Sequence, residues 1–341
     1  MTHQNIKQLE EHPFAQYVRI LGKGKKGSRS LTEQEAFDAM SMIMRDEVED
    51  VQIGAFLMLL RVKEESNEEL GGFVRAVRDH ISTPPSLSVD LDWSSYAGKR
   101  RHLPWYLISI FLLSQSGYRT FIHGASGHTS NRLYTENILN ELGFKSATCW
   151  NDVSQQVQDQ GFSYLSLEHI SPVLSRLINL RNLMGLRSPV HSLSRLINPL
   201  NANTVLQGIF HPPYAPRHQS VGQQMGYHTL AVIKGEGGEI ERNPDNEMRV
   251  LSTHDGELSE EIWPSMFPRR HLKASEMTAQ HLVNVWRGEL TDEYGEGAII
   301  GTTALALKYL DSSLSQTTAI DKARSLWNDR NTIYLPNPSL S

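Results

Sequence analysis

The first ninety residues of the chain follow a helical pattern of apolar and polar positions. Ala36, Met40 and Ile43 recur at helical spacing. They follow a capping box, in which Thr32 accepts from the amide of Glu35 while the Glu35 carboxylate reaches back to the start of the helix. The pattern predicts a well-capped helix that begins just after Thr32.

Two more helices are predicted in the same segment. One begins after Asp50, and the other begins at a second capping box formed by Ser66 and Glu69. The adjacent prolines at residues 84–85 end the series because proline cannot continue a helix. Three short helices without strands predict a compact all-α bundle.

Beyond the prolines, predicted strands alternate with predicted helices, which indicates an α/β layer architecture. The region after residue 252 is acidic and is predicted to be rich in loops. The predicted strands cover residues 120–123, 162–167, 228–234 and 248–252. The predicted helices cover residues 103–116, 131–143, 170–182, 278–288 and 295–310, with a last one begun by Thr318.

Composition narrows the class of protein. The chain has 341 residues, of which 39% are hydrophobic and 21% charged, as is usual for a globular protein. It contains no run of about 18 apolar residues, so no membrane span is expected. Residues 1–11 are polar and lack the apolar core of a signal peptide. Cys149 is the single cysteine, which excludes an intramolecular disulfide and favours a reducing, cytoplasmic location.

The charges are distributed unevenly, although the net charge is −5. Basic residues gather at residues 99–102 and 176–195, whereas residues 33–69 and 236–261 are dominated by acids. A local patch of cations on an acidic molecule is typical of a groove for an anion. For any single cluster taken alone, a solvated loop is the favoured interpretation.

Histidine spacing gives no sign of a metal centre. The fourteen histidines include no His-x-x-x-His pair with a third acid and no pairing with cysteine. A zinc site of that kind is therefore not expected.

An ordered series of segments resembles anthranilate phosphoribosyltransferase over about residues 12–335. The N-terminal segment LTEQEAFDAMSMIMRDEVEDVQIGAFLMLLRVKEESNEELGGFVRAVRDH (31–80) resembles the helical domain of that family nearly residue for residue. An ordered series of matches is far more specific than one short motif. The later segments that match in family order are residues 121–124, 135–143, 180–187, 196–200, 207–214 and 226–235.

The resemblance implies a fold, a dimer and a cleft. A small helical domain at residues 12–82, joined by helices of about residues 170–195, makes the dimer contact. A larger α/β domain with a central sheet is expected from residues 86–168 and 196–335. In the family, the cleft between the domains binds phosphoribosyl pyrophosphate with magnesium and an aromatic amine, and the same fold serves pyrimidine nucleoside phosphorylases.

The sequence departs from the family in the phosphate loop. The family's GTGGD presents bare backbone amides to the diphosphate, and the corresponding residues here are Ser95-Tyr96-Ala97-Gly98-Lys99. Tyrosine and alanine replace glycines, which restricts close backbone approach. The family's aspartate becomes Lys99, a change of two charge units.

Two further motifs of the family are altered. In its pair of magnesium carboxylates, Ile240 replaces one and Glu241 keeps the other. Glu236 and Glu239 could replace the missing ligand from nearby, but a turn with solvated glutamates is the favoured prediction. In its KHGNR motif the lysine is replaced by Ile122, and the Asn-Arg pair by residues 125–126. His123 and Gly124 remain, as does Arg181, which matches the arginine that meets the aromatic carboxylate.

These departures resemble the YbiB-like branch of the family, which keeps the fold and dimer and is associated with nucleic-acid binding. The sequence therefore predicts a homodimer that binds DNA or RNA non-specifically through spaced cations, with Tyr96 and Trp105 as stacking surfaces. No catalytic residue is assigned, and no cofactor is expected unless transferase activity survives with magnesium, for which Glu241 is the remaining ligand candidate. The predicted cleft residues are Ser95, Tyr96, Gly98, Lys99, Arg100, Arg101, His123, Gly124, Arg181, Arg187 and Arg195.

Three alternatives stay open at this point. The protein could be an active phosphoribosyl or related pentosyl transferase with an acceptor other than anthranilate. Phosphorolysis of a nucleoside is a second possibility that the fold allows. A dimer that serves only as a scaffold, without a ligand, is the third.

Overall fold

A computed structural model describes residues 10–24, 26–84, 87–127, 129, 131–272 and 277–336. Its N-terminal part is a helical bundle, as the spacing of apolar residues predicts. One helix, α1, precedes the three predicted helices. The bundle helices are α1 (Ala15–Gly22), α2 (Glu33–Met44), α3 (Asp50–Lys63) and α4 (Asn67–Asp79).

Both predicted capping boxes are confirmed. The Thr32 hydroxyl accepts from the amide of Glu35, and the Ser66 hydroxyl accepts from the amide of Glu69. The buried Glu69 carboxylate also accepts from the amide of Leu31 at 2.8 Å and from Lys63 Nζ at 2.8 Å. One side chain therefore caps α4 and fixes the entry of α2 against it.

The second part is built on a seven-stranded mixed sheet with the order β3-β2-β1-β4-β5-β6-β7. Neighbouring strands are parallel from β3 to β5, and β6 and β7 are antiparallel to the strands beside them. The strands are β1 (Leu91–Ser95), β2 (Thr120–Gly124), β3 (Phe162–Ser166), β4 (Thr204–Ile209), β5 (Thr229–Lys234), β6 (Met248–His254) and β7 (Glu257–Trp263).

Helices cover both faces of the sheet, so this part is an α/β layer structure, as predicted. Neighbouring strand residues face opposite ways: Ile122 packs into one core with α5 and α14, and Phe121 into the other with the bundle. The remaining helices are α5 (Tyr106–Gln115), α6 (Thr135–Glu141), α7 (Trp150–Gln160), α8 (Leu167–Ile170), α9 (Pro172–Asn179), α10 (Arg181–Met184), α11 (Val190–Leu193), α12 (Ala215–Gln224), α13 (Ala279–Arg287), α14 (Glu293–Leu310) and α15 (Gln316–Asn328).

The structure adds elements that the pattern did not predict. The region after residue 252 contains strand β7 rather than only loops, and its acidic residues are tolerated because β7 is an exposed edge strand. The strands β1 and β4 and the helices α7, α11 and α12 were also missed. The predicted helix at 170–182 is divided, with Ser171 and Leu180 separating short helices.

Some predictions concern residues outside the described part. Residues 85–86, where the bundle was predicted to end and the large domain to begin, are among them, as are residues 1–9 of the N-terminal segment. Within the described residues, no helix has both the length and the apolar character needed to cross a membrane.

The sheet topology points to one edge as a place for ligands. The chain order of the strands reverses between β1 and β4, which are hydrogen-bonded neighbours. Crevices at the carboxyl ends of strands that flank such a reversal are the usual binding sites of open α/β sheets. The segment Ser95–Lys99 follows β1, and residues 210–213 follow β4.

Candidate functional site

The loop after β1 forms a tight turn at Gly98. This glycine has a φ of +68°, a conformation that favours glycine, and an added Cβ would lie 3.1 Å from atoms of both Arg132 and Tyr134. Arg132 donates to the carbonyl oxygens of Ala97 at 2.9 Å and Gly98 at 3.0 Å. The loop's carbonyls therefore face a cation, and its amides face the opposite way.

The loop's amides already bind an anion, which is the carboxylate of Glu239. Its Oε1 atom accepts from the amide of Ala97 at 2.6 Å and from that of Gly98 at 2.5 Å. Glu239 is fully buried, and this burial raises the pKa of its carboxyl above the ordinary value. The sequence prediction of a solvated Glu239 is therefore wrong.

Two glycines let Glu239 approach so closely. A Cβ at Gly235 would lie 1.5 Å from the Glu239 carbonyl oxygen, and one at Gly208 would lie 2.4 Å from its carbonyl carbon. Neither position tolerates a side chain unless the turn moves. These two glycines on β4 and after β5 thus place Glu239 beneath the loop.

Lys99 forms a buried ion pair with Glu241. The Lys99 ammonium contacts Oε1 of Glu241, and Oε2 of Glu241 accepts from the amide of Tyr106 at 3.0 Å. Both side chains are almost fully buried. Burial raises the pKa of Glu241 to about 7, an effect that Lys99 opposes.

A second buried chain of polar groups lies behind the loop. The Tyr96 hydroxyl and Nδ1 of His123 are 2.8 Å apart, and Nε2 of His123 lies 3.2 Å from Oδ1 of Asp92. On the neighbouring side, the Ser95 hydroxyl lies 2.6 Å from that of Thr135. All five side chains are buried, so they support the loop from within the domain rather than contacting solvent.

Four arginines lie close to one another beside the loop: Arg132, Arg181, Arg187 and Arg195, here called the arginine group. Arg181 donates to the Thr129 hydroxyl at 2.6 Å and Arg187 donates to it at 3.4 Å. Burial lowers the pKa of Arg187 to about 10, and the positive charges of the other three members lower it further. Mutual repulsion of this kind marks a site that favours an anion.

A cavity of about 440 Å³ adjoins the arginine group. It lies between the end of α3, the segment after β4 and the start of α12. Arg187 and Arg195 form part of its wall, together with Arg61 and Arg217. Glu64 and Glu65 also line it, and Glu64 pairs with Arg217. Phe210, which is 54% exposed, presents an aromatic ring there. The cavity therefore combines arginines and carboxylates with the exposed ring of Phe210 and the partly exposed ring of Tyr214.

The structure brings most of the predicted cleft residues together. Ser95, Tyr96, Gly98, Lys99, His123 and Gly124 surround the loop after β1, and Arg181, Arg187 and Arg195 belong to the arginine group. Arg100 and Arg101 follow the loop and are exposed. Sequence reasoning missed Arg132, which has no motif around it and approaches the loop only through the fold.

Several predicted contacts with a ligand are not supported by the structure. Tyr96 and Trp105 were predicted as stacking surfaces, but both are 1% exposed, and the Trp105 ring packs against Gly295 of α14. The Lys99 ammonium is not presented to the cleft because it is buried against Glu241. Arg195 is also largely buried, and its Nε donates to the carbonyl of Gly208 at 3.2 Å.

One group of possible metal ligands lies elsewhere, at the hairpin between β6 and β7. One ligand atom from each of His228, His254 and Asp255 lies within 4.8 Å of the others, and all three residues are exposed. The sequence pattern did not predict this group, because His228 is distant in the chain from His254 and Asp255. It lies beside them only because β5, which it precedes, is the neighbour of β6. Asp255 already pairs with His228 in this arrangement.

Comparison with known proteins shows which proteins the chain resembles. Residues 16–81 match the helical bundle domain of the glycosyl transferase family. The chain is 25% identical over 282 residues to the uncharacterized protein YbiB of Escherichia coli, covering 78% of this chain and 86% of that protein. It is 26% identical over 247 residues to anthranilate phosphoribosyltransferase of Bacillus cereus, covering 72% and 71%.

Comparison with solved structures agrees with the comparison of sequences. The structure of anthranilate phosphoribosyltransferase from Saccharomyces cerevisiae in complex with PRPP and Mg superposes with a TM-score of 0.74 at 18% identity, covering 94% of each chain. This chain is therefore similar to anthranilate phosphoribosyltransferases in sequence and in fold. The predicted fold, a helical domain followed by a large α/β domain, is confirmed.

The similarity raises the question of a magnesium ion, since the yeast structure is a complex with PRPP and Mg. Magnesium prefers several oxygen ligands in an octahedron. Here Ile240 offers no side-chain oxygen, Glu241 is engaged by Lys99 and the amide of Tyr106, and Glu239 is held by the loop. The side chains as arranged do not fit a magnesium ion, so no catalytic step through this metal follows from them.

Proposed function

We propose that this protein is a nucleic-acid-binding dimer that has lost the phosphoribosyl pyrophosphate site of its family. The observation that carries the proposal is the occupation of that site by the chain itself. The Glu239 carboxylate holds the loop amides, and the Lys99 ammonium holds the Glu241 carboxylate. A diphosphate and its metal would have to displace both.

Displacing these contacts would be costly. Removing one partner of a buried ion pair typically costs about 3–5 kcal/mol, because the other charge stays buried without compensation. A diphosphate approaching Ala97 and Gly98 would also meet the carboxylate of Glu239 directly. The loop therefore favours its internal anion over an external one.

The arginine group supports binding of a different kind of anion. A phosphodiester strand needs only spaced positive charges along its path, without a metal or a close approach to bare amides. Arg181 and Arg187 are partly exposed, and Arg100 and Arg101 continue the positive charge past the loop. The net charge of −5 confines attraction for nucleic acid to such a local surface.

The dimer is part of the same proposal. Val51 is 78% exposed and Val62 is 82% exposed, and both lie on α3 of the bundle. In the proposed dimer, a second copy of the chain would bury both side chains. Two copies related by a two-fold axis would present two arginine groups to one strand.

The test is the salt dependence of binding to short labelled DNA and RNA, measured by fluorescence anisotropy. If several phosphates are contacted, the logarithm of the affinity should fall linearly with that of the salt concentration. Single-stranded, double-stranded and scrambled sequences should differ little, because the proposed contacts are to the backbone. Absence of binding at low salt by dimeric protein would rule the proposal out.

Transfer of a pentosyl group is the second candidate, favoured by the retained Arg181 and by similarity to a relative named anthranilate phosphoribosyltransferase. Its acceptor would differ from anthranilate. Calorimetry with phosphoribosyl pyrophosphate and magnesium separates the two functions. Tight binding of this donor would support the transferase, and no heat at millimolar donor would support the loss of the site.

A further inference from the structure

Arg242 is a buried cation that no carboxylate compensates. It follows Glu241 in the chain, has no exposed surface, and its guanidinium carbon lies 5.2 Å from the centre of the Trp263 ring. One terminal nitrogen donates to the carbonyl of Pro264. The other two nitrogens, Nε and Nη1, have no hydrogen-bond acceptor among the described residues.

A buried guanidinium with two unpaired nitrogens lowers the stability of the folded state, so its presence needs a physical explanation. Most buried polar groups have a partner, and an unpaired buried charge costs several kcal/mol of desolvation. Burial lowers the pKa of Arg242 to about 10, so the side chain stays charged at neutral pH. An apolar side chain would fill the same space at lower cost, which points to a use for the charge.

Arg242 forms part of the wall of a cavity of about 370 Å³ on the side of the domain formed by α14 and α15. The Pro264 that accepts from Arg242 lines the same cavity, so the guanidinium lies at its wall. The other walls include the apolar side chains of Met266, Phe267 and Ile300. The charged residues Glu293, Glu296 and Arg324 also line the cavity. A ligand there would meet two arginines, two glutamates and a set of apolar side chains.

Two glycines on α14 keep this arrangement in place. A Cβ at Gly301 would lie 2.7 Å from Cδ of Arg242, and a Cβ at Gly297 would lie 2.5 Å from the ring of Phe267. Because these two positions of α14 are glycines, Arg242 and Phe267 can pack directly against the backbone of the helix. The cavity depends on both positions.

The acidic residues at the cavity limit the charge of a ligand. Glu293 lines the cavity and pairs with Arg269 and His271. Glu296 lines the same cavity, and it does not compensate the charge of Arg242. Two carboxylates near the ligand would repel a dianion more strongly than a monoanion. Phosphate is also poorly suited to apolar walls because of its high cost of desolvation.

We propose that this cavity binds a small organic monocarboxylate, with its carboxylate against Arg242 and its apolar body against Met266, Phe267 and Ile300. The two free nitrogens are shielded from solvent, so entry requires the guanidinium to turn towards the cavity that it lines. The site is separate from the arginine group, and the proposal does not depend on nucleic-acid binding.

The experiment uses hexanoate as the probe and its neutral amide, hexanamide, as the matched ligand, in calorimetric or NMR titrations of the full chain. A hydrogen bond to a charged group is worth about 1.5–3 kcal/mol, so hexanoate should bind at least about tenfold more tightly than hexanamide. The probe is an aliphatic acid, so that binding of an aromatic acid near Arg181 does not contribute to the measured signal.

Two variants locate the binding. Arg242→Met should remove the preference for hexanoate, and it should unfold at the same or a higher temperature because the unpaired charge is gone. Arg249→Met, which removes an exposed arginine of β6 paired with Glu260, should bind hexanoate like the wild type. The proposal is overturned if hexanoate does not saturate, if hexanamide binds equally well, or if Arg242→Met leaves the preference unchanged.

Discussion

The Glu239 carboxylate lies 2.5 Å from the amide nitrogen of Gly98, within the turn whose amides would otherwise face the cleft. The same oxygen accepts from Ala97. Successive backbone amides in such a turn bind anions well, because their partial positive charges converge. The chain therefore uses one of its own carboxylates where a phosphate group would fit.

Replacing this internal anion should open the loop to an external one. Glu239→Ala leaves two buried amides without an acceptor, so we expect a loss of about 1–3 kcal/mol in the free energy of unfolding. Added diphosphate should restore part of this loss and raise the unfolding temperature of the variant, as differential scanning fluorimetry would show.

The exposed Glu247→Ala serves as the control for Glu239→Ala, and it should neither lose stability nor respond to diphosphate. A folded Glu239→Ala protein whose unfolding temperature ignores diphosphate would contradict this account. The loop amides would then be closed to external anions for a reason other than Glu239.

The Lys99–Glu241 pair should behave as one unit. Lys99→Met leaves a buried carboxylate without its cation and should lower the free energy of unfolding by about 3–5 kcal/mol. The double variant Lys99→Met/Glu241→Leu removes both charges and should recover most of that loss, as urea unfolding of the single and double variants would show. Additive losses from the two substitutions would mean that the pair does not interact as described.

Exposed and buried cations should differ in their effect on nucleic-acid binding. Replacing Arg100 or Arg101 by alanine should reduce the salt dependence of the affinity by roughly one phosphate contact each. Lys99→Met should leave this slope unchanged, because its ammonium is buried against Glu241. Equal slopes for all three variants and the wild type would exclude a path of phosphates past this loop.

The sequence predicts the elements best where local chemistry dominates. The capping boxes at Thr32 and Ser66 are hydrogen bonds between neighbours in the chain, so their pattern is visible without the fold. Strand β7 (Glu257–Trp263) could not be predicted in this way, because four of its seven residues are polar or charged and the strand lies at an exposed edge of the sheet. The alternation that marks a half-buried strand is missing there.

The site was predictable in its location but not in its contacts. The altered residues Tyr96, Ala97 and Lys99 mark the loop, since each replaces a residue type that close approach of phosphate requires. That Glu239 fills the loop depends on Gly208 and Gly235, which belong to different strands and turns. Such a contact between distant segments arises only when β4 and β5 lie side by side.

The proposed dimer can be tested on α3. Val62→Asp replaces an apolar side chain that is 82% exposed by a charged one, so it should not disturb the folded monomer. If the bundle forms the dimer contact, the charge would be buried there and should shift the mass measured by light scattering from dimer to monomer. Leu258→Asp, at an exposed position on the edge strand β7, is the control and should leave the mass unchanged.

His218 should make the protein sensitive to acid. Burial, reinforced by the charge of Arg195, lowers the pKa of His218 to about 3, and its Nδ1 lies 2.6 Å from Oε1 of Gln207. The folded state therefore binds a proton less readily than the unfolded state, in which the pKa is near 6.5. The stability that comes from a neutral His218 is complete above about pH 6.5 and falls as the pH drops from there towards 3. Between pH 7 and pH 5 the loss should be about 2 kcal/mol.

His218→Asn keeps a donor for Gln207 but cannot titrate, so urea unfolding of this variant should show a smaller loss over that interval. The exposed His169→Asn should lose stability like the wild type, and an equal loss in His218→Asn would show that other groups cause the acid sensitivity.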